Sequence, residues 1–175
     1  ISLYQESCIN PDDEALYYPG RLFRQSNGAL WISQPGGRIS RIIDGRRKDY
    51  PAAGFVPGDP TVRAYFAETE DGPFWVAFSD GKIFIHKEAG ATLEQVTDLH
   101  SLINDMKSQG NELWIAGVHI QKFQLSGDGL QIEESETIHS GLGEVTAITL
   151  DSKGNIFLGI REKGLYYLDR RTGQN

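Results

Sequence analysis

Short stretches in which apolar and polar residues alternate fill almost the whole chain, broken by turns rich in glycine and aspartate. The clearest stretch is Val145-Thr146-Ala147-Ile148-Thr149-Leu150, which has the period of two of a half-buried strand. Asp151-Ser152-Lys153-Gly154 then supplies turn chemistry: an Asx-type acceptor and a glycine able to take positive φ. Residues 155–160 read as a second strand, Arg161-Glu162-Lys163-Gly164 as another turn, and 165–169 as a third strand. Upstream, strands are expected over 102–106, 112–116, 120–125 and, on the outside, 130–136. A second set covers 62–67, 74–78, 82–87 and 93–97, and a first set 21–25, 30–33 and 38–43. Helix-period patterns are essentially absent, a turn near Asp12-Asp13-Glu14 aside.

The sets repeat a phrase. Gly28-Ala29-Leu30-Trp31-Ile32-Ser33 is echoed by Gly72-Pro73-Phe74-Trp75-Val76-Ala77, Asn111-Glu112-Leu113-Trp114-Ile115-Ala116 and Gly154-Asn155-Ile156-Phe157-Leu158-Gly159. The aromatics at 31, 75, 114 and 157 lie 44, 39 and 43 residues apart, and all three tryptophans occupy this one position. A period of about 40–50 residues, carrying four strands each time, is that of a propeller blade. The expected fold is therefore all-β: a β-propeller of about four four-stranded antiparallel blades. One propeller domain is expected over 1–175, with a lead-in at 1–20 and blades at 21–60, 61–101, 102–140 and 141–175. The recurring aromatic belongs in the core between blades, because one blade cannot bury its own faces.

The last blade lacks an outer strand before the chain ends at Asn175, while strand-like stretches at 2–7 and 15–18 precede the first. One of these can supply the missing strand and close a ring of four, or the chain is an arc of a larger ring. An arc would expose two apolar blade faces and pair with other blades or a second chain, as a homo-oligomer. The start, Ile1-Ser2-Leu3-Tyr4, has neither an initiator methionine nor a signal-peptide pattern, which suggests processing or excision from a longer chain.

Charge narrows the partners. The formal net charge is −7, which disfavours nucleic acid and anionic membrane as ligands. The one basic run, Arg46-Arg47-Lys48, lies beside Asp44 and Asp49 and reads as a solvated loop. Cys8 is the only cysteine, so no intrachain disulfide forms, and no apolar run is long enough for a membrane helix.

The stretch from Ser140-Gly141-Leu142 through Val145 and Ile148 to Gly164-Leu165-Tyr166-Tyr167-Leu168-Asp169 resembles the two-component regulator propeller repeat. Phe157 stands where that pattern has tryptophan, and the third copy has His119-Ile120 in place of its Gly-Leu pair. The resemblance spans residues 21 to 173 and is strong only in the last third. It implies the extracytoplasmic, periplasmic sensor region of Bacteroidetes hybrid histidine kinases. It also implies oligosaccharide ligands, dimers and rings of seven blades, which favours the arc over the closed ring. WD-repeat membership does not fit, since no Trp-Asp pair occurs. Leu30-Trp31-Ile32-Ser33 followed by Gly37-Arg38-Ile39 is also similar to streptogramin-lyase-like propellers, which need a histidine and acidic residues gathered around a metal. No such set is found.

No catalytic constellation emerges either. His86, His100, His119 and His139 show no metal-ligand spacing, and no cofactor motif occurs. Asp151 to Asn155 lacks the alternating acidic ligands of a calcium loop and reads as a hairpin turn. Glu133-Glu134 and Asp12-Asp13 are chain neighbours whose side chains point to opposite faces of a strand, so neither makes a glycosidase pair. Turns between second and third strands line one face of a propeller, and the candidate ligand-binding residues are those of Gln34-Pro35, Ser79-Asp80, Val118-His119 and Arg161-Glu162. Arg21, Arg63 and Asn104, at the starts of first strands, join them. Tyr17, Tyr18 and Tyr65 are the aromatics a sugar could stack on. The expected function is a noncatalytic sensor or ligand-binding propeller segment. A protein–protein scaffold is the alternative, and a lyase-like enzyme the third reading.

Overall fold

A computed structural model describes residues 20–50, 61–70, 72–87, 92–138 and 143–169. The stretches at 2–7 and 15–18, the 12–14 turn, Cys8, Tyr17, Tyr18, His139 and the Ser140-Gly141-Leu142 motif lie outside the described residues. The chain divides into two compact units, Ile1–Ala64 and Tyr65–Asn175.

The first unit holds one sheet, β1 (Arg21–Arg24), β2 (Leu30–Ser33), β3 (Ile39–Ile43) and β4 (Arg46–Tyr50), paired in chain order. A single 3-10 turn, Pro35–Gly37, joins β2 to β3. The strand sequences explain the pairing. Trp31 sits opposite both Phe23 and Arg41, and Arg41 opposite Lys48, so one row of large side chains crosses the sheet. Trp31 is fully buried, its Nε1 donates to Gln25 Oε1 at 2.9 Å, and its ring stacks on Tyr50 at 5.3 Å.

The basic run Arg46-Arg47-Lys48 is not the loop its charge suggests but the outer strand β4. Two contacts reconcile it with a sheet: Arg47 Nε donates to Asp49 Oδ1 at 2.7 Å, and Lys48 Nζ lies 5.0 Å over the Tyr50 ring. A charged outer strand keeps a sheet edge from pairing with other chains.

The second unit carries three sheets. They are β5 (Ala64–Glu68) to β8 (Leu93–Asp98) with β6 (Phe74–Phe78) and β7 (Lys82–His86) between them; β9 (Ile103–Gln109), β10 (Glu112–Gly117), β11 (Ile120–Leu125) and β12 (Ile132–Ile138); and β13 (Val145–Leu150), β14 (Ile156–Ile160) and β15 (Gly164–Leu168). Each is a meander in chain order. The described residues thus form four sheets of four, four, four and three strands, the blades of an all-β propeller segment.

β10 shows why blades must stack. Leu113 and Ile115 join Trp75, Ala77, Ile83 and Ile85 of the preceding sheet in one core cluster. Trp114 and Ala116 point the other way, into a second cluster with Ile148, Ile156, Leu158 and Ile160 of the following sheet. Alternation along one strand therefore feeds two cores. Trp75 and Trp114 are 0% and 1% exposed, and burying each indole is worth roughly 4–6 kcal/mol before entropy is counted. Phe157, at the same repeat position in the last sheet, is only half-buried and rests on Tyr167 at 5.1 Å. Tyr65 lies in the first of these cores, 5% exposed, and is not a stacking platform at the surface.

Polar groups also tie the sheets together. Ser108 Oγ donates to the Glu68 carbonyl at 2.5 Å, and Gln109 Nε2 to the Asp151 carbonyl at 2.8 Å. Asp105, 6% exposed, accepts the backbone N–H of Ile148 at 3.1 Å, beside a register shift between Val145 and Ala147. Among the described residues β13 pairs only with β14, so an N–H on its other side needs an acceptor from elsewhere, and the carboxylate of the neighbouring blade is that acceptor.

Candidate functional site

In the second unit the turns after β6, β10 and β14 are linked, through the starts of β9 and β13, into one rim. The β6–β7 turn holds Ser79, Asp80 and Gly81, and the Ile103 N–H at the head of β9 donates to the Ser79 carbonyl at 3.3 Å. Gly81 has φ +104° and lies against the chain that leaves β8, where the Leu99 N–H donates to its carbonyl at 3.0 Å. A Cβ on Gly81 would stand 2.9 Å from the Ser101 carbonyl oxygen, so only glycine fits there. Asp80 is exposed and holds Lys82 Nζ at 2.6 Å.

The next turn carries Val118 and His119, both exposed. Gly117 before it packs so closely that a Cβ would lie 1.9 Å from the Leu102 carbonyl oxygen. Val118 and Leu102, 49% and 43% exposed, thus put apolar surface beside His119. His100 is held through its own N–H, which donates to Asp98 Oδ1 at 2.8 Å, and has φ +49°.

The third turn begins with Arg161. Its Nε and Nη2 donate to the two oxygens of Glu144 at 2.8 and 3.0 Å, and its backbone N–H donates to the Glu144 carbonyl at 2.9 Å. Asn104 Nδ2, at the head of β9, donates to Glu144 Oε1 and to the Val145 carbonyl, both at 2.9 Å. Arg161 first and Asn104 second hold the Glu144 carboxyl below the usual carboxylate range, and Glu144 in turn raises the Arg161 guanidinium above its own. The cluster joins two sheets, and the guanidinium that the sequence offers to a ligand is already engaged in a fork-to-fork pair.

The remaining candidates belong to the first unit. Arg21 is exposed at the start of β1, its N–H donating to Ser33 Oγ at 2.8 Å. Gln34, 3% exposed, is buried at the entry to the 3-10 turn, and its backbone N–H donates to the Arg38 carbonyl at 2.9 Å. Arg63 is exposed just before β5. Asp80, His119 and Arg161 therefore share one rim, whereas Arg21, Gln34 and Arg63 lie outside that unit.

Glu144 is the residue that sequence reading passes over. One signal could have found it. Val145 pairs with Ile160, so the residues flanking that pair, Glu144 and Arg161, face each other with opposite charge. Among the described residues no group of three or more histidine, cysteine or acidic side chains could hold a metal ion.

No family model matches the sequence, and no curated protein matches it. Solved structures do. Two crystal structures of the extracellular domain of BT4673 of B. thetaiotaomicron, described as a one-component and as a hybrid two-component system, are similar at 20% identity with TM-scores of 0.63 and 0.60. They match 91% and 87% of this chain and 25% and 24% of their own. The extracellular domain of the hybrid two-component system BT3049 is similar at 19% identity, with a TM-score of 0.58, over 85% of this chain and 22% of that one. The chain spans about a quarter of the length of these structures. Its four sheets are thus a segment of a β-propeller with the fold of the extracellular domains of B. thetaiotaomicron two-component systems.

Proposed function

We propose that the chain is a noncatalytic ligand-sensing propeller segment of an extracytoplasmic, periplasmic signalling protein. The supporting observation is the rim of the second unit, where three inter-strand turns expose Asp80, His119 and Arg161 on a scaffold fixed by backbone hydrogen bonds. Variable polar turns on a rigid frame suit recognition, since loops carry binding while the sheets carry stability. The fold shared with extracellular domains of two-component systems supports the sensor role and the extracytoplasmic location. The ligand is a neutral, hydroxyl-rich molecule, an oligosaccharide, bound by the carboxylate, imidazole and amide groups of the rim with Leu102 and Val118 as its apolar contact. Glycan-array screening followed by calorimetry tests this. Binding that Asp80→Ala or His119→Ala reduces at least tenfold supports it, and no binding to any glycan overturns it.

A second reading is a protein-interaction scaffold. It is favoured by the outward face of the β13–β15 sheet, where Leu165 and Tyr167 are 77% and 43% exposed. Exposed apolar sheet faces mark interaction surfaces, and further blades or a second copy of the chain are the partners. Sedimentation velocity decides: Leu165→Asp dissociates a self-associating chain on this reading, and a wild-type monomer at all concentrations removes it.

A further inference from the structure

Two glycines of the rim leave no room for a methyl group, and both pack on the same short link. A Cβ on Gly81 would stand 2.9 Å from the Ser101 carbonyl oxygen and 3.1 Å from the His100 nitrogen. A Cβ on Gly117 would stand 1.9 Å from the Leu102 carbonyl oxygen. Residues 99–102, which join β8 to β9, are therefore wedged between the turn that carries Asp80 and the turn that carries His119. His100 lies within this link. Its φ is +49°, uncommon for a residue with a side chain, and Asp98 holds it there. Asp98 Oδ1 accepts the His100 N–H at 2.8 Å and lies 3.4 Å from Nδ1. Asp98 in turn stands opposite Lys82 in the ladder, and Lys82 Nζ holds Asp80 at 2.6 Å. The His100 side chain is nonetheless 85% exposed. A carboxylate beside Nδ1 places the ring proton there and leaves the lone pair on Nε2. Among the described residues Nε2 carries no hydrogen bond.

We propose that His100 is a specificity-determining ligand contact of the rim: its Nε2 accepts a hydrogen bond from a sugar hydroxyl, and Asp98 orients the ring. The assignment rests on the reading of the rim as a sugar-binding surface and adds to it a residue from a different kind of connection. Asp80 and His119 belong to turns after second strands, whereas His100 belongs to the link between one sheet and the next. Asp80, His100 and His119 thus follow one another along the rim, beside the exposed Leu102 and Val118. A carboxylate and an unprotonated ring nitrogen both accept, so they suit a ligand rich in hydroxyl donors. A sugar lacking the hydroxyl would leave Nε2 unpaired in the complex, and that penalty is the source of discrimination.

The test uses the whole chain with arrayed malto-, xylo- and manno-oligosaccharides as probes, calorimetry on those that bind, and NMR of the imidazole nitrogens. His100→Gly suits a positive φ, so the melting temperature stays as it is while affinity for the bound sugar falls roughly tenfold. The His100 Nε2 resonance moves when that sugar is added, and the resonances of the buried His86 do not. Two results overturn the contact and leave the rim reading in place. One is sugar binding that Asp80→Ala weakens and His100→Gly does not. The other is weaker binding by His100→Gly with an Nε2 resonance that the sugar leaves unmoved in the parent chain, which makes His100 a structural residue. Absence of binding to every arrayed sugar overturns the contact together with the reading on which it rests.

Discussion

Arg161 and Asn104 approach one carboxylate from two different sheets: Glu144 accepts from Arg161 at 2.8 and 3.0 Å and from Asn104 at 2.9 Å. Because these donors hold the Glu144 carboxyl below its ordinary value of 4.5, the contact stabilises the fold fully above that value. The contribution is lost as pH falls through the lower, folded-state value. The pair is largely solvent-exposed, so screening keeps its contribution small. In Glu144→Gln the melting temperature should fall less steeply as pH drops below 4.5. Superimposable profiles for the variant and the parent chain would show that the cluster adds nothing.

Trp114 and Phe157 hold the same repeat position with different burial. Trp114→Ala should cost about 3–5 kcal/mol, as large-to-small core changes do. Phe157→Ala should cost less, about 1–3 kcal/mol, since part of the residue is already exposed in the parent. Urea denaturation of both variants measures the difference. A Trp114→Ala variant of near-normal stability would contradict the stacking of blades.

The Asp105 carboxylate is the acceptor of the Ile148 N–H and is almost wholly buried. Asp105→Ala leaves a buried donor unpaired, at a cost of about 1–3 kcal/mol. Hydrogen exchange at Ile148 should accelerate in the variant well beyond exchange in β6. Unchanged protection there would mean that another acceptor takes the bond.

At Gly117 a methyl group has no room, with the Leu102 carbonyl oxygen 1.9 Å from the Cβ position. Gly117→Ala must displace the backbone that carries Val118 and His119, at about 1–3 kcal/mol for an overpacked site. Any ligand affinity at the rim should drop with it. Gly127, whose Cβ position meets nothing within 4 Å, is the matched control and should tolerate alanine.

How much of this was written in the chain differs from place to place. The strands of the second unit follow from period-two alternation, and the boundaries differ from expectation by a few residues, as in β9 at Ile103–Gln109 against 102–106. The strand β4 was hidden because Arg46-Arg47-Lys48 has no apolar alternation; its ladder bonds to β3 and the Tyr50 ring under Lys48 hold it. Tyr65 shows the reverse: a tyrosine reads equally as platform or core, and only its neighbours decide.

The sequence by itself determined the repeat, the all-β class and the place of the tryptophans, because these depend on local periodicity and on one large side chain recurring at one strand position. Tertiary structure alone decided which charges remain available. Arg161 and Glu144 are 17 residues apart and Asp105 and Ile148 are 43 apart, and hydrogen bonds across such separations are set by strand register and blade stacking. It also decided that Phe157 is only partly buried while Trp75 and Trp114 are sealed, since burial of a blade's face depends on the sheet next to it and not on the blade's own residues.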